Sequence, residues 1–405
     1  MPSTADRGAV ARRLGRRIGV AGAALAAVAA QVLAGPAADA RGPGPYGPQK
    51  TRATTIASNP IPFTTRFEAD MHGSITRISN SLMTCDETKA PLDPKLPSCV
   101  EARTGAGNTI LRNNDYPMKY INIDPGSIGP LGDPIYSASS ADLGLIEGSE
   151  VKYARLYWGG TRGIGDTVLP ETQIDEVYLK LPGEGQYRNI ANDQPSIGYI
   201  TTDDESSYQA SADITDLVKK AGNGSYTVAD MDSVVKPHSW GGWSIVIAYK
   251  NDCKPYRHIH LWDGFQVELP FSHPHEFDLT GLQTPANQSE VHGKLGFVVY
   301  DGDLRWFGDT LSIKSTHGPL TPFTDANHVA NDAFNSTIEE LTPSDQFARN
   351  PYNRNNFGYD SNRWDISPYL RSGDTDIKIM FDTQGDGYDL GVFYAYVNLD
   401  DSVDG

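Results

Sequence analysis

Basic residues are few in this sequence, cysteines fewer still, and beyond residue 30 no apolar run is long enough to span a bilayer. Lysine and arginine total 34 against 51 aspartates and glutamates in 405 residues, a formal net charge of −17. A surface of that sign repels phosphate backbones and anionic lipids, so nucleic acid is not an expected partner. With three cysteines in a chain long enough for two or three domains, stability does not have to come from disulfides or metals.

Catalytic signatures are missing as well. The nearest approach to a nucleophile elbow, Gly242-Trp243-Ser244-Ile245-Val246, lacks the final glycine and reads on as a strand. His275-Glu276-Phe277-Asp278-Leu279 lacks the second histidine of a zinc-protease helix. No catalytic residue is therefore assigned.

One long apolar run does occur, from Ile18 to Ala30, and it follows Arg12, Arg13, Arg16 and Arg17. Shorter than the ~20 residues of a spanning helix, it reads as an export signal. Ala38-Asp39-Ala40 offers the small residues of a cleavage site, and the paired arginines suit the twin-arginine route. The mature chain is expected to begin near Arg41, to be secreted and extracellular, and to carry no transmembrane span. Removing the leader leaves 29 basic against 49 acidic residues, a net charge of −20. Residues 41–60, rich in Gly, Pro and Thr, read as a flexible arm. In an oxidising compartment Cys85 and Cys99 should pair. Cys253 follows a strand-like run and is expected to be a buried, inert thiol.

Forty glycines and 27 prolines imply many turns, and the runs between them are rich in β-branched and aromatic residues. Strands are predicted over 151–158, 176–181, 224–229, 243–249, 295–300, 310–314, 375–381 and 391–398. Helical periodicity is confined to short pieces, 213–220 and 331–340.

The grammar of 208–249 recurs over 359–396. Asp213-Ile214-Thr215, Gly222, a strand, Gly241-Gly242 and a strand correspond to Asp365-Ile366-Ser367, Gly373, a strand, Gly385-Asp386-Gly387 and a strand. Upstream, 154–160 and 296–302 look like matching strand-and-turn units. Such an echo predicts one fold built twice: an all-β chain of two tandem jelly-roll-like β-sandwich domains, 61–250 and 251–401, with a tail at 402–405.

The turn grammar around Asp213 and Asp365 resembles galactose-binding-like jelly-roll domains, which implies fold only. A broader resemblance spans roughly 70–399. It is carried by Asn80-Ser81-Leu82-Met83-Thr84-Cys85, Leu156-Tyr157-Trp158-Gly159-Gly160, Gly241-Gly242-Trp243-Ser244, Trp262-Asp263-Gly264-Phe265, Gly308-Asp309-Thr310-Leu311 and Gly385-Asp386-Gly387-Tyr388-Asp389-Leu390-Gly391. These motifs are similar to the N-terminal module of large secreted or wall-linked bacterial surface proteins, usually followed there by immunoglobulin-like repeats. The resemblance implies a cell-surface or adhesive role and supplies no catalytic residues.

Three constellations could bind something. Trp306-Phe307, with Trp262, could stack on a sugar ring, since CH groups meet a π face favourably; Trp240 and Trp364 also lie near turns. Asp301, Asp303 and Asp309 ring one loop and Asp382, Asp386 and Asp389 the matching loop; oxygen-rich turns of this kind can hold calcium, the one cofactor the sequence leaves open. His258 and His260 lie two apart in a strand-like run, with His273 and His275 one loop later; the reading preferred is separate histidines, with zinc or copper as the alternative. The functional expectation is a secreted, non-enzymatic protein that binds carbohydrate or a surface protein. The alternatives are a hydrolase acting on polysaccharide through a carboxylate pair, and a structural assembly module.

Overall fold

A computed structural model describes residues 58–194, 197–202, 205–340 and 347–400, and these belong to one compact unit. The expected leader, all but the last three residues of the expected arm, and the expected tail lie outside the described residues. Among the described residues no helix is long and apolar enough to cross a membrane.

Among the described residues, sixteen of the 22 strands carry the architecture, and they fall into two sets of eight. The first set is β1 (Ile61–Ser81), β2 (Ala138–Leu143), β3 (Glu150–Ile164), β4 (Glu176–Lys180), β5 (Arg188–Ala191), β6 (Ser206–Asp213), β7 (Gly224–Ala229) and β8 (Gly241–Lys250). The second is β9 (Tyr256–Glu268), β10 (His275–Leu279), β11 (Gly293–Tyr300), β12 (Asp309–Ser315), β13 (Thr321–Pro322), β14 (Tyr359–Asp365), β15 (Ile377–Thr383) and β16 (Tyr388–Asn398). In the first set β1-β8-β3-β6 form one sheet and β2-β7-β4-β5 another; in the second set β9-β16-β11-β14 and β10-β15-β12-β13 repeat that order. Strands distant in sequence lie side by side, which is the jelly-roll arrangement.

The long strand β1 joins the two sets. Residues 73–81 pair antiparallel with β8, while 61–72 pair antiparallel with β9 through two register irregularities. The sheets β1-β8-β3-β6 and β9-β16-β11-β14 are thereby continuous, and they also face each other.

This stacking explains why the central strands read as unbroken apolar runs rather than alternating ones. On β8, Trp243, Ile245 and Ile247 enter the core of the first set, while Val246 and Ala248 face the seam between the inner sheets. On β16, Phe393, Ala395 and Val397 enter the core of the second set, and Val392, Tyr394 and Tyr396 face the same seam. Strands buried on both faces need apolar residues at every position. Truncating a core ring such as Trp243 to alanine would cost about 3–5 kcal/mol. Ser244, on this central strand, is buried and hydrogen-bonded to Ser79 and Tyr359, so it is structural.

Between β1 and β2 the chain makes a separate excursion. Cys85 and Cys99 are disulfide-bonded, as the spacing predicts, beside a short helix, Cys99–Arg103, that opens with a Ser98/Glu101 capping box. The small core of this excursion includes Met83, Leu111 and Tyr116, and it takes in Leu304 and Phe357 from the second set.

Two expectations fail. A helix forms at Thr215–Ala221, but 331–340 holds only a turn, extended chain and the short strand Ile338–Glu339 beside β14. Side chains of β14 take the amides that a helix would use: Thr337 N donates to Asp360 Oδ1 at 3.0 Å and Glu339 N to Asn362 Oδ1 at 2.8 Å. Cys253 is exposed rather than buried, because β8 ends at Lys250 and leaves it in the following turn.

Candidate functional site at the seam

The seam between the inner sheets is apolar at its middle but threaded by polar side chains. Asp263 accepts from Arg66 Nε at 2.8 Å, from Arg66 Nη2 at 2.9 Å and from Tyr157 OH at 2.9 Å, and lies 3.8 Å from Arg155 Nε. Gln209 donates to the Gly264 carbonyl at 2.7 Å and accepts from Tyr300 OH at 2.6 Å. Ser207 donates to Asp389. These bonds tie the two sets together through groups that, except for the half-buried Arg66, bulk solvent does not reach.

At one end of the seam the acids concentrate. Glu205 stands at the entry to β6, Asp301 at the exit of β11, and Asp389 within β16. Donor oxygens of Glu205 and Asp301 lie within 4.8 Å of each other, and two carboxyls this close favour a proton or a cation between them. Each carboxyl also takes a neutral donor: Trp240 Nε1 reaches Glu205 Oε1 at 3.4 Å, and Asn113 Nδ2 reaches Asp301 Oδ1 at 3.0 Å. Glu205 Oε2 accepts no hydrogen bond and lies 4.0 Å from His238 Nε2. One donor atom from each of Glu205, His238 and Asp301 can be chosen so that all lie within 4.8 Å of one another, a set able to hold a cation. His238 and Asp301 both adopt left-handed backbone, with φ of 77° and 63°, which non-glycine residues adopt at a cost of about 1–3 kcal/mol.

A second pair sits alongside. Asp303 N donates to Asp386 Oδ2 at 2.9 Å, and the buried Asp303 Oδ1 accepts nothing. The loops that carry these two aspartates touch backbone to backbone: a Cβ on Gly385 would lie 2.2 Å from the Phe307 carbonyl oxygen, and one on Gly308 2.4 Å from Gly385 N. Only glycine permits that approach, so the two motifs read from sequence as separate turns meet here.

Burial sets the protonation of this cluster. It raises Glu205, Asp303 and Asp386 well above the ordinary carboxylate range, and neighbouring carboxylates add to the effect: Asp301 and Asp389 on Glu205, Asp301 on Asp303, and Asp303 with Asp309 on Asp386. Burial also pushes Asp389 and Asp309 to about 8. Carboxyls packed this closely away from water cannot all be ionised without a counter-cation.

The rim is aromatic. Phe307 is 53% exposed and Phe271 82% exposed. Phe271 N donates to the Thr383 carbonyl at 3.1 Å, so Phe271 also borders the loop that bears Asp386. Trp306 is half-buried, with the Arg112 guanidinium 4.6 Å over its ring. Arg112 and Asn113 come from the disulfide-bonded excursion, which is pinned to the 301–309 loop by Leu111 N donating to the Leu304 carbonyl at 3.0 Å.

Of the expected binding residues, Trp306 and Phe307 lie at this rim. Trp262 does not: it is buried, stacked between His260 at 3.7 Å and Phe393 at 4.6 Å, because its position on β9 faces the core of the second set. Trp240 and Trp364 are core residues too, stacked on Tyr300 and Phe323. Asp303, Asp386, Asp309 and Asp389 are buried at the acidic end and the half-buried Asp301 joins them, whereas Asp382, also half-buried, offers its backbone carbonyl to Thr310 and Tyr388. His273 and His275 do not join His258 and His260; His275 Nδ1 pairs with Glu268 at 2.5 Å. Glu205, His238 and Asn113 had no sequence signal beyond ordinary turn residues. Two surface depressions, of about 490 and 450 Å³, lie elsewhere, around Asp213-Ile214-Thr215 and around Leu145–Val151. They contain none of the clustered acids or aromatics and are lined by ordinary turn residues.

No family model and no curated protein matches the chain. Among solved structures, the major capsid protein P2 of bacteriophage PM2 aligns at 12% identity over 69% of this chain and 95% of its own, with a TM-score of 0.19. PNGase F, a glycosylasparaginase from Flavobacterium meningosepticum, aligns at 12% identity over 69% of this chain and 94% of its own, with a TM-score of 0.22. A structure of Sulfolobus Turreted Icosahedral Virus aligns at 12% identity over 64% and 86%, with a TM-score of 0.22. Likeness at this level carries no argument about what this chain does.

Proposed function

We propose that the protein is a secreted extracellular or cell-surface binding module whose ligand is a carbohydrate, held where Trp306, Phe307 and Phe271 rim the buried acids. The observation that carries this reading is the pairing of exposed rings with carboxyls whose oxygens lack hydrogen-bond partners, Asp303 Oδ1 and Glu205 Oε2. CH faces of a sugar stack on such rings, and an opening of the rim would bring its hydroxyls to these buried oxygens. Asp301, Asp303, Asp309, Asp386 and Asp389 are in this reading the groups that bound calcium would neutralise. Glycan-array binding that disappears in Trp306→Ala and Phe307→Ala and persists in Trp262→Phe is the expected result. Repeating the array with and without a calcium chelator separates a calcium-bridged ligand from one held by protonated acids. Arrays on which wild type and Trp306→Ala behave alike would overturn the reading.

One observation favours a second reading, a polysaccharide hydrolase. A carboxyl whose pKa burial and neighbouring carboxylates raise above the ordinary range, as at Glu205, is suited to hold a proton as a general acid does. Turnover of a polysaccharide panel that is lost in Glu205→Gln supports it; binding without turnover supports the module.

A further inference from the structure

We infer that Glu68, His258 and His260 form a binding site for one divalent transition-metal ion of the zinc class, separate from the acidic seam. The pairing of β1 with β9 builds it: Glu68 lies opposite His260 and Asp70 opposite His258 in the antiparallel register. Residues two apart on a strand share a face, so both imidazoles and both carboxylates project to one side of the sheet.

Each histidine is oriented by its other nitrogen. His258 Nδ1 lies 2.7 Å from Asp70 Oδ1; an ionised carboxylate only accepts, so Nδ1 carries the proton and Nε2 presents its lone pair. That Nε2 is buried, makes no hydrogen bond, and lies 3.7 Å from Glu68 Oε1. His260 Nε2 bonds Thr65 Oγ1 at 2.8 Å, which leaves Nδ1 facing Glu68 Oε1 at 3.9 Å. The ring of His260 is held from one side by Trp262, stacked at 3.7 Å and 10°.

The three donor atoms lie within 4.8 Å of one another. Neighbouring ligands of a tetrahedral zinc, at bond lengths near 2.1 Å, stand roughly 3.4 Å apart, so small side-chain movements of Glu68 and the two imidazoles close the set. A histidine that donates its remote N–H to a carboxylate is the usual supporting arrangement of a zinc ligand. Two imidazoles and one carboxylate select zinc-class ions over calcium, which takes oxygen donors. Glu68 faces solvent, so the fourth position is open to water or to an external ligand.

The competing account is a protonated His258 shared by Asp70 and Glu68 as an ion pair, which binds no metal. Zinc chloride titrated into chelator-stripped full chain, followed by calorimetry and thermal shift, distinguishes the two. The expected result is one zinc per chain, lost in His260→Asn and in the exposed, fold-neutral Glu68→Gln, and about 10–100-fold weaker in Asp70→Asn. Uptake should be unchanged in His273→Asn. Absence of zinc uptake by folded wild type would overturn the assignment, as would uptake that survives both His260→Asn and Glu68→Gln in variants whose circular dichroism matches wild type.

Discussion

Asp213 and Asp365 do the same work on counterpart strands of the two sets. Asp213 Oδ1 accepts from Thr215 N at 2.8 Å, and Asp365 Oδ1 accepts from Ser367 N at 3.0 Å. The residue between follows suit: Ile214 N donates to the Ala154 carbonyl on β3 at 3.0 Å, and Ile366 N to the Gly293 carbonyl on β11 at 3.1 Å. Thr215 Oγ1 accepts from Ala154 N at 2.9 Å, and Ser367 Oγ from Gly293 N at 3.1 Å. Each turn buries an isoleucine and leads into a helical turn, at Thr215–Ala221 and Ser367–Tyr369.

From this equivalence, Asp213→Ala and Asp365→Ala should each destabilise by about 1 kcal/mol, the usual cost of losing such a local side-chain bond. The two lie in different sets and share no partner, so the double variant should be additive within about 0.5 kcal/mol. Urea unfolding followed by tryptophan fluorescence measures both; coupling well beyond that limit would show that the sets do not behave as independent copies.

The disulfide should matter beyond its own loop. Joining Cys85 and Cys99 closes a loop of separation 14 and is worth about 3 kcal/mol in the chain-entropy account. Because the excursion supplies Arg112 and Asn113 to Trp306 and Asp301, Cys85→Ser with Cys99→Ser should also raise hydrogen exchange in 301–309. Exchange confined to 82–120 would separate the two regions.

Stability should fall as pH rises from about 4 to about 8 in chelator-containing buffer. Asp389 and Asp309 ordinarily titrate near 3.8, and burial lifts both to about 8. A group that holds its proton more tightly when folded gives its full contribution below the unfolded pKa and loses it as pH rises through the folded one. Thermal melts at half-unit steps should show the decline, and Asp389→Asn, which cannot ionise, should flatten it. A profile that climbs towards pH 8 without divalent ions would contradict the assignment.

Removing Asp263 should be among the costliest single changes. Asp263→Ala removes one of the two carboxylates beside the buried Arg155 guanidinium, leaving Asp193, and breaks the bonds from Arg66 and Tyr157. Breaking one partner out of a buried charged network costs about 3–5 kcal/mol. Asp263→Asn, which keeps an acceptor, should cost less, and denaturant melts of the two variants test the ordering.

The strand-bearing segments, the doubled grammar and the disulfide were legible because each is a local signal. Period and β-branching mark a strand, an Asx turn closes within three residues, and a short cysteine spacing permits a bridge. The predicted runs 224–229 and 295–300 fall on β7 and β11. Asn331 to Glu340 misled because its buried polar residues bond to β14, which no local pattern records. Trp262 misled because a tryptophan near a turn looks the same in sequence whether its ring meets solvent or, as here, Phe393.

By itself, then, the sequence determined the β class, many of the strands, the doubled turn grammar and the covalent staple, all set by residues near one another in the chain. Tertiary structure alone decided that β1 runs through both sets, that two inner sheets meet face to face, and that Glu205, His238 and Asp301 converge there. The physical reason is that a site made from strand ends depends on register and sheet stacking. Both are fixed by burial summed over the whole chain rather than by any segment's own preferences.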